Sequence, residues 1–122
     1  MNRLDELKKH PSVLAKMEGY HSDVVREVAA AVEAHPVVIV GMSQNPHPRQ
    51  ARKLLDAQSI GYHYLTYGSY VSGWHDRLAL KIWAGWPTFP MIFVNGTLIG
   101  GASDLESLMK SGEFKALLDP NA

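Results

Sequence analysis

Three groups of residues in this chain have the types and spacing to do chemistry. The first is the turn Gly41-Met42-Ser43-Gln44-Asn45-Pro46-His47-Pro48, directly after the β-branched run Val37 to Val40. Asn45 is a natural N-cap, and Pro46 at the first helical position loses no hydrogen bond. Pro48 still lies among the donors that have no intrahelical partner. A helix that starts there presents its positive end to whatever occupies the turn, and a thiolate would suit it. The second group is Ser103-Asp104-Leu105-Glu106, which follows Gly100-Gly101 and reads as a capping box with Ser103 as the cap. Its open N–H groups could receive a carboxylate while Asp104 receives an ammonium. The third is Arg77 and Lys81, spaced i, i+4 on one helix face, either an ordinary solvated face or a pair of cations for an anionic ligand.

What is missing narrows the chemistry further. The 122 residues contain no cysteine, so disulfides, thiolate metal sites and cysteine nucleophiles are all outside its own means. Six histidines (His10, His21, His35, His47, His63 and His75) form no His-x-x-x-His pair, and no metal site is predicted. Lys+Arg and Asp+Glu balance at 12 each, giving no pull toward nucleic acid or an anionic membrane. Trp74, Trp83 and Trp86 read as core and groove wall rather than as a stacking platform for bases. The charged start, Met1 to His10, lacks the apolar stretch of a secretory signal. No apolar run approaches the roughly 20 residues of a membrane helix. A soluble, cytoplasmic protein is the expectation.

The elements that must hold these groups follow from periodicity. Residues 1–21 form an N-terminal extension of two short helical pieces around Pro11, and residues 22–122 form one domain. Ser22-Asp23 opens a helix whose apolar face is Val24, Val25, Val28, Ala31 and Val32, ending before Pro36. Val37 to Val40 is a strand buried on both faces. Arg49 to Gln58 reads as a helix, Tyr62 to Tyr67 as a second strand, and Ser72 to Trp83 as another helix. Pro90 to Val94 and Thr97 to Ile99 flank Asn95-Gly96, the preferred pair for a type I′ hairpin. A last helix runs from Ser103 to Gly112, and Phe114 to Leu118 adds a final turn. The pattern predicts an α/β domain with a four-stranded mixed sheet flanked by helices.

This order, with Trp86-Pro87-Thr88-Phe89-Pro90 and Phe93-Val94-Asn95-Gly96-Thr97-Leu98-Ile99-Gly100-Gly101, resembles the glutaredoxins, a branch of the thioredoxin fold. The resemblance runs from about Asp23 to Leu118. Trp86-Pro87 is similar to the monothiol branch, whereas the short loop from Met42 to Asn45 is similar to the dithiol branch. Asn45-Pro46-His47-Pro48 stands where the family has Cys-Pro-Tyr-Cys, with Asn45 in place of the nucleophile. The family's glutathione-binding lysine is Met42 here.

By resemblance, Pro90 is cis, Thr88, Phe89 and Pro90 line a glutathione groove, and Ser103 and Asp104 hold the γ-glutamyl end. Arg77 and Lys81 face the glycyl carboxylate. The implied ligand is glutathione, a glutathione-like small molecule or an extended peptide, with no other cofactor. The implied setting is thiol redox or iron–sulfur metabolism, but neither thiol exchange nor cluster binding is available to Asn45. Three roles remain open at this point. One is a non-catalytic module for glutathione, a peptide or a protein partner. The second is a glutathione-dependent transferase in which Ser43 and Asn45 orient a ligand thiol. The third is a structural partner subunit.

Overall fold

The computed structural model describes residues 10–13, 16, 22–42, 46–68 and 73–119. The elements in order are α1 (Ser22–Ala34), β1 (Val37–Gly41), α2 (Pro46–Ala57), β2 (His63–Thr66), α3 (Trp74–Ala84), β3 (Met91–Val94), β4 (Thr97–Gly100), α4 (Ala102–Ser111) and α5 (Glu113–Leu118). Most of the expected N-terminal extension lies outside the described residues, as does Ser72. Within the extension, Pro11 stands at the first position of a helical turn, closed by the Val13 amide donating to the His10 carbonyl at 2.9 Å. Among the described residues no helix is long and apolar enough to cross a membrane.

The four strands form one mixed sheet in the order β2-β1-β3-β4. β1 runs parallel to β2, with Val38 beside His63, and antiparallel to β3, with Val40 beside Met91. β3 and β4 form the predicted hairpin, and Asn95 (φ 46°) and Gly96 (φ 83°) both take the positive φ of a type I′ turn. A register shift between Ile92 and Phe93 places Gly100 opposite Ile92, so β4 extends one residue beyond the predicted end at Ile99.

Strand periodicity explains the two-sided core. Val37 and Ile39 face one side with Leu55, Ile92, Leu105 and Phe114, under α2, α4 and α5. Val38 and Val40 face the other with Val28, Leu80, Met91 and Phe93, under α1 and α3. Both sets are almost wholly removed from water. Burial on both faces is why β1 reads as an unbroken apolar run.

Two points of local geometry position the chemistry. α2 begins at Pro46, the first helical position expected after Asn45 and three residues before the periodic stretch from Arg49, and Pro48 is buried over the end of β1. A Cβ at Gly41 would stand 2.8 Å from Pro48 Cγ, so only glycine lets the ring pack there. The Phe89–Pro90 peptide is cis, in agreement with the resemblance.

Candidate functional site

At the C-terminal end of β1 three segments converge on a pocket of about 240 Å³. The α3–β3 connection supplies Trp86, Thr88, Phe89 and Pro90, the start of α4 supplies Gly101 to Asp104, and the first turn of α2 supplies His47. Five of the predicted groove residues, Thr88, Phe89, Pro90, Ser103 and Asp104, therefore share one lining. His47 is exposed and also forms part of the wall.

The start of α4 corrects one sequence reading. The cap is Gly101, not Ser103, and Asp104 rather than Glu106 closes the turn. Asp104 Oδ2 accepts a hydrogen bond from the Gly101 amide at 2.9 Å. This is one half of a capping box. The other half cannot form, because glycine has no side chain to cap the next amides. The N–H groups of Ala102, Ser103 and Asp104 are thus the opening donors of α4, and all three residues line the pocket. The signal was present in the sequence: a glycine followed three residues later by an aspartate.

The two predicted cations separate. Lys81 is half-buried, with Nζ 5.8 Å from the centroid of the Phe89 ring, at the pocket's edge. Arg77 is only 8% exposed and is not part of the lining. Its Nη1 donates to the Tyr67 carbonyl at 3.1 Å, tying α3 to the end of β2. The Arg77–Lys81 face is therefore not a solvated one. Tyr67 is held on its other side by its hydroxyl, which donates to the Glu27 carboxylate. Burial, followed by that hydrogen bond to Glu27, raises the Tyr67 pKa well above its ordinary value of 10.0.

The remaining predicted positions divide by placement. Met42 is buried and brings no charge. Ser43 and Asn45 lie outside the described residues. Trp86 is groove wall, as predicted, and its Nε1 is buried without a hydrogen-bond partner among the described residues. Trp74 and Trp83, read as core or groove wall, are instead 57% and 41% exposed.

Elsewhere, a larger cavity of about 500 Å³ opens at the opposite end of the sheet. Its lining of His35, Pro36, Val37, Ser59, Ile60, Gly61, Tyr62, His63 and Leu118 offers no carboxylate, lysine or arginine. His35 and His63 stack there with ring centroids 4.2 Å apart and planes within 2°. Among the described residues no cluster of three or more potential ligands could hold a metal.

No family model matches the chain. A glutaredoxin-like protein of Dictyostelium discoideum is 42% identical over 111 residues, covering 91% of this chain and 90% of that one. The chain belongs to the glutaredoxin family. Wheat glutaredoxin shares the fold at a TM-score of 0.69 with 29% identity, over 81% of this chain and 93% of its own. A buckwheat glutaredoxin–glutathione complex superposes at a TM-score of 0.72 with 21% identity, covering 84% and 94%. This glutaredoxin has no cysteine among its 122 residues.

Proposed function

We propose that this glutaredoxin is a binding module. Its pocket takes glutathione, a similarly built small anionic peptide or an extended segment of a protein partner, and it does not exchange thiols. The observation that carries this reading is the junction of two chemically different walls in one pocket. One is the Trp86–Pro90 connection, with an aromatic face at Phe89 and the Lys81 ammonium beyond it. The other is the start of α4, where opening amides stand beside a carboxylate that Gly101 holds in place.

A γ-glutamyl end carries a carboxylate and an ammonium on one carbon. The amides of α4 suit the first, and Asp104 suits the second. The buckwheat complex supports glutathione as the ligand class, and the monothiol glutaredoxins among the relatives support work near thiol redox systems. Charge-assisted hydrogen bonds contribute about 1.5–3 kcal/mol each in favourable settings. Met42 provides no charge and position 45 no thiol, so affinity is weak and rests on these few contacts.

Titration of the full chain with reduced glutathione, followed by amide NMR shifts, tests this reading. Saturable shifts should centre on Phe89, Ser103 and Asp104. Asp104→Ala should weaken binding by roughly tenfold or more, the equivalent of 1.4 kcal/mol. Arg49→Ala, exposed on α2 outside the lining, should change it little. The absence of saturable shifts at millimolar ligand would reject the proposal.

A further inference from the structure

The lining of the pocket at the end of β1 carries one carboxylate, Asp104, one imidazole, His47, and no lysine or arginine. Charge recognition is therefore concentrated at the start of α4. There the opening amides of Ala102 and Ser103 and the Asp104 carboxylate lie within one helical turn. An anion and a cation bound so close together belong on one carbon, as in the free end of an amino acid. The Lys81 ammonium offers a second anchor for an anion at the pocket's edge, 5.8 Å from the centroid of the Phe89 ring. The two carboxylates and the ammonium of glutathione each have a counterpart in this arrangement. Its sulfur has none of comparable strength.

What can meet that sulfur is limited by the amino-acid content of the chain. Thiol–disulfide exchange proceeds by a thiolate attacking a disulfide sulfur, and a thioether cannot take part. A chain whose 122 residues include no cysteine makes no such demand of its ligand. Any other side chain meets a thiol through hydrogen bonds in which S–H is a weak donor and sulfur a weak acceptor. The charge-assisted bonds at the two ends are the stronger contacts. Volume points the same way. At about 240 Å³ the pocket is smaller than the roughly 300–1,000 Å³ that encloses a whole small-molecule ligand. One end of the ligand fills it, and the remainder lies outside.

We propose, resting on the reading of this pocket as a glutathione site, that the protein recognises γ-glutamyl peptides whatever their sulfur carries. It therefore binds S-substituted glutathione as well as glutathione itself. The free amino-acid end is the feature that is read, by the α4 amides and Asp104 together. The ligand class then includes glutathione thioethers, which no thiol exchange can turn over. Reactions that alkylate the glutathione sulfur are the class that supplies such ligands. This chain stands after them as a binder, with no bond made or broken.

Titration of the full chain with three probes, followed by amide NMR shifts, tests the proposal. The probes are glutathione, S-methylglutathione and glutathione acetylated on its amine. The first two should shift the same amides, around Ser103 and Asp104, with dissociation constants within about threefold of each other. Acetylation removes the ammonium that suits Asp104 and should raise the dissociation constant roughly tenfold or more. Only the ligand changes, so the folding of a variant does not enter. S-methylglutathione binding tenfold or more weaker than glutathione overturns the inference and leaves the glutathione site standing. An acetylated probe that binds as tightly as glutathione also overturns it, because the amino-acid end is then not what the pocket reads. Saturation by neither glutathione nor S-methylglutathione rejects the inference together with the site on which it rests.

Discussion

Replacing Gly100 by alanine puts a methyl group where Asp104 already stands. Gly100 has φ +111°, and a Cβ there would lie 2.3 Å from Asp104 Oδ2, 2.7 Å from Cγ and 3.0 Å from Cβ. Rotating the carboxylate relieves the first two contacts and sacrifices the bond to the Gly101 amide. The contact to Cβ stays tight. Two costs therefore combine. Holding a residue with a side chain in this region of φ costs about 1–3 kcal/mol. Losing the Asp104 bond, which is exposed to solvent, costs about 1 kcal/mol. The variant should lose about 2–4 kcal/mol, measured by urea unfolding followed through tryptophan fluorescence. A double-mutant cycle separates the two parts. In the Asp104→Ala background only the backbone share remains, so the double variant should lose about 1 kcal/mol less than the sum of the singles. Additivity within about 0.5 kcal/mol would refute the link between Gly100 and the Asp104 carboxylate.

The other predictions concern the thiol, the cluster and pH. Asn45→Cys should place a reactive thiolate immediately before α2, which starts at Pro46, and its alkylation should be rapid below pH 8.5, the ordinary thiol pKa. Alkylation no faster than in the urea-unfolded variant contradicts this. The native chain, incubated with iron, sulfide and glutathione, should emerge colourless from gel filtration, because Fe–S clusters are held chiefly by thiolates. Co-eluting visible absorption counts against that argument. The raised Tyr67 pKa means that the fold binds this proton more tightly than the unfolded chain does. Its contribution is fully present below about pH 10 and is lost as pH rises through the folded value. Tyr67→Phe should flatten the fall in stability above pH 10, and an unchanged alkaline slope would show that the fold holds the Tyr67 proton no more tightly than the unfolded chain does.

What could be read from the sequence divides along a physical line. The element order, the two-faced strand at Val37 to Val40 and the Asn95-Gly96 hairpin all rest on local signals, whereas the two groove segments were read from the family resemblance. Each residue's preference there agrees with its place in the fold. The misplaced features depend on distant contacts. Arg77 resembles a solvated cation until the Tyr67 carbonyl, ten residues away in sequence, comes within 3.1 Å. Trp74 and Trp83 resemble core residues because aromatic side chains usually bury, yet Leu80 fills the position beneath α3. The cap at Gly101 was hidden by Ser103 and Glu106, a stronger textual pattern. It loses because the chain enters α4 from Gly100, in a conformation that brings the Gly101 amide within reach of Asp104.

The hairpin turn carries one further consequence, for the chemical lifetime of the protein. Asn95 Nδ2 donates to the carbonyls of Leu117 and Leu118, at 2.7 and 2.8 Å, and so fastens α5 to the tip of the sheet. Asparagine before glycine is the pair most prone to spontaneous deamidation. Here the product would set a carboxylate against two carbonyl oxygens that had been receiving a hydrogen bond. One slow, uncatalysed hydrolysis thus turns a clasp into a repulsion. We expect stored samples to gain deamidated mass and protease sensitivity at the C-terminal helix together. Asn95→Asp should show from the outset the sensitivity that native chains acquire only with age.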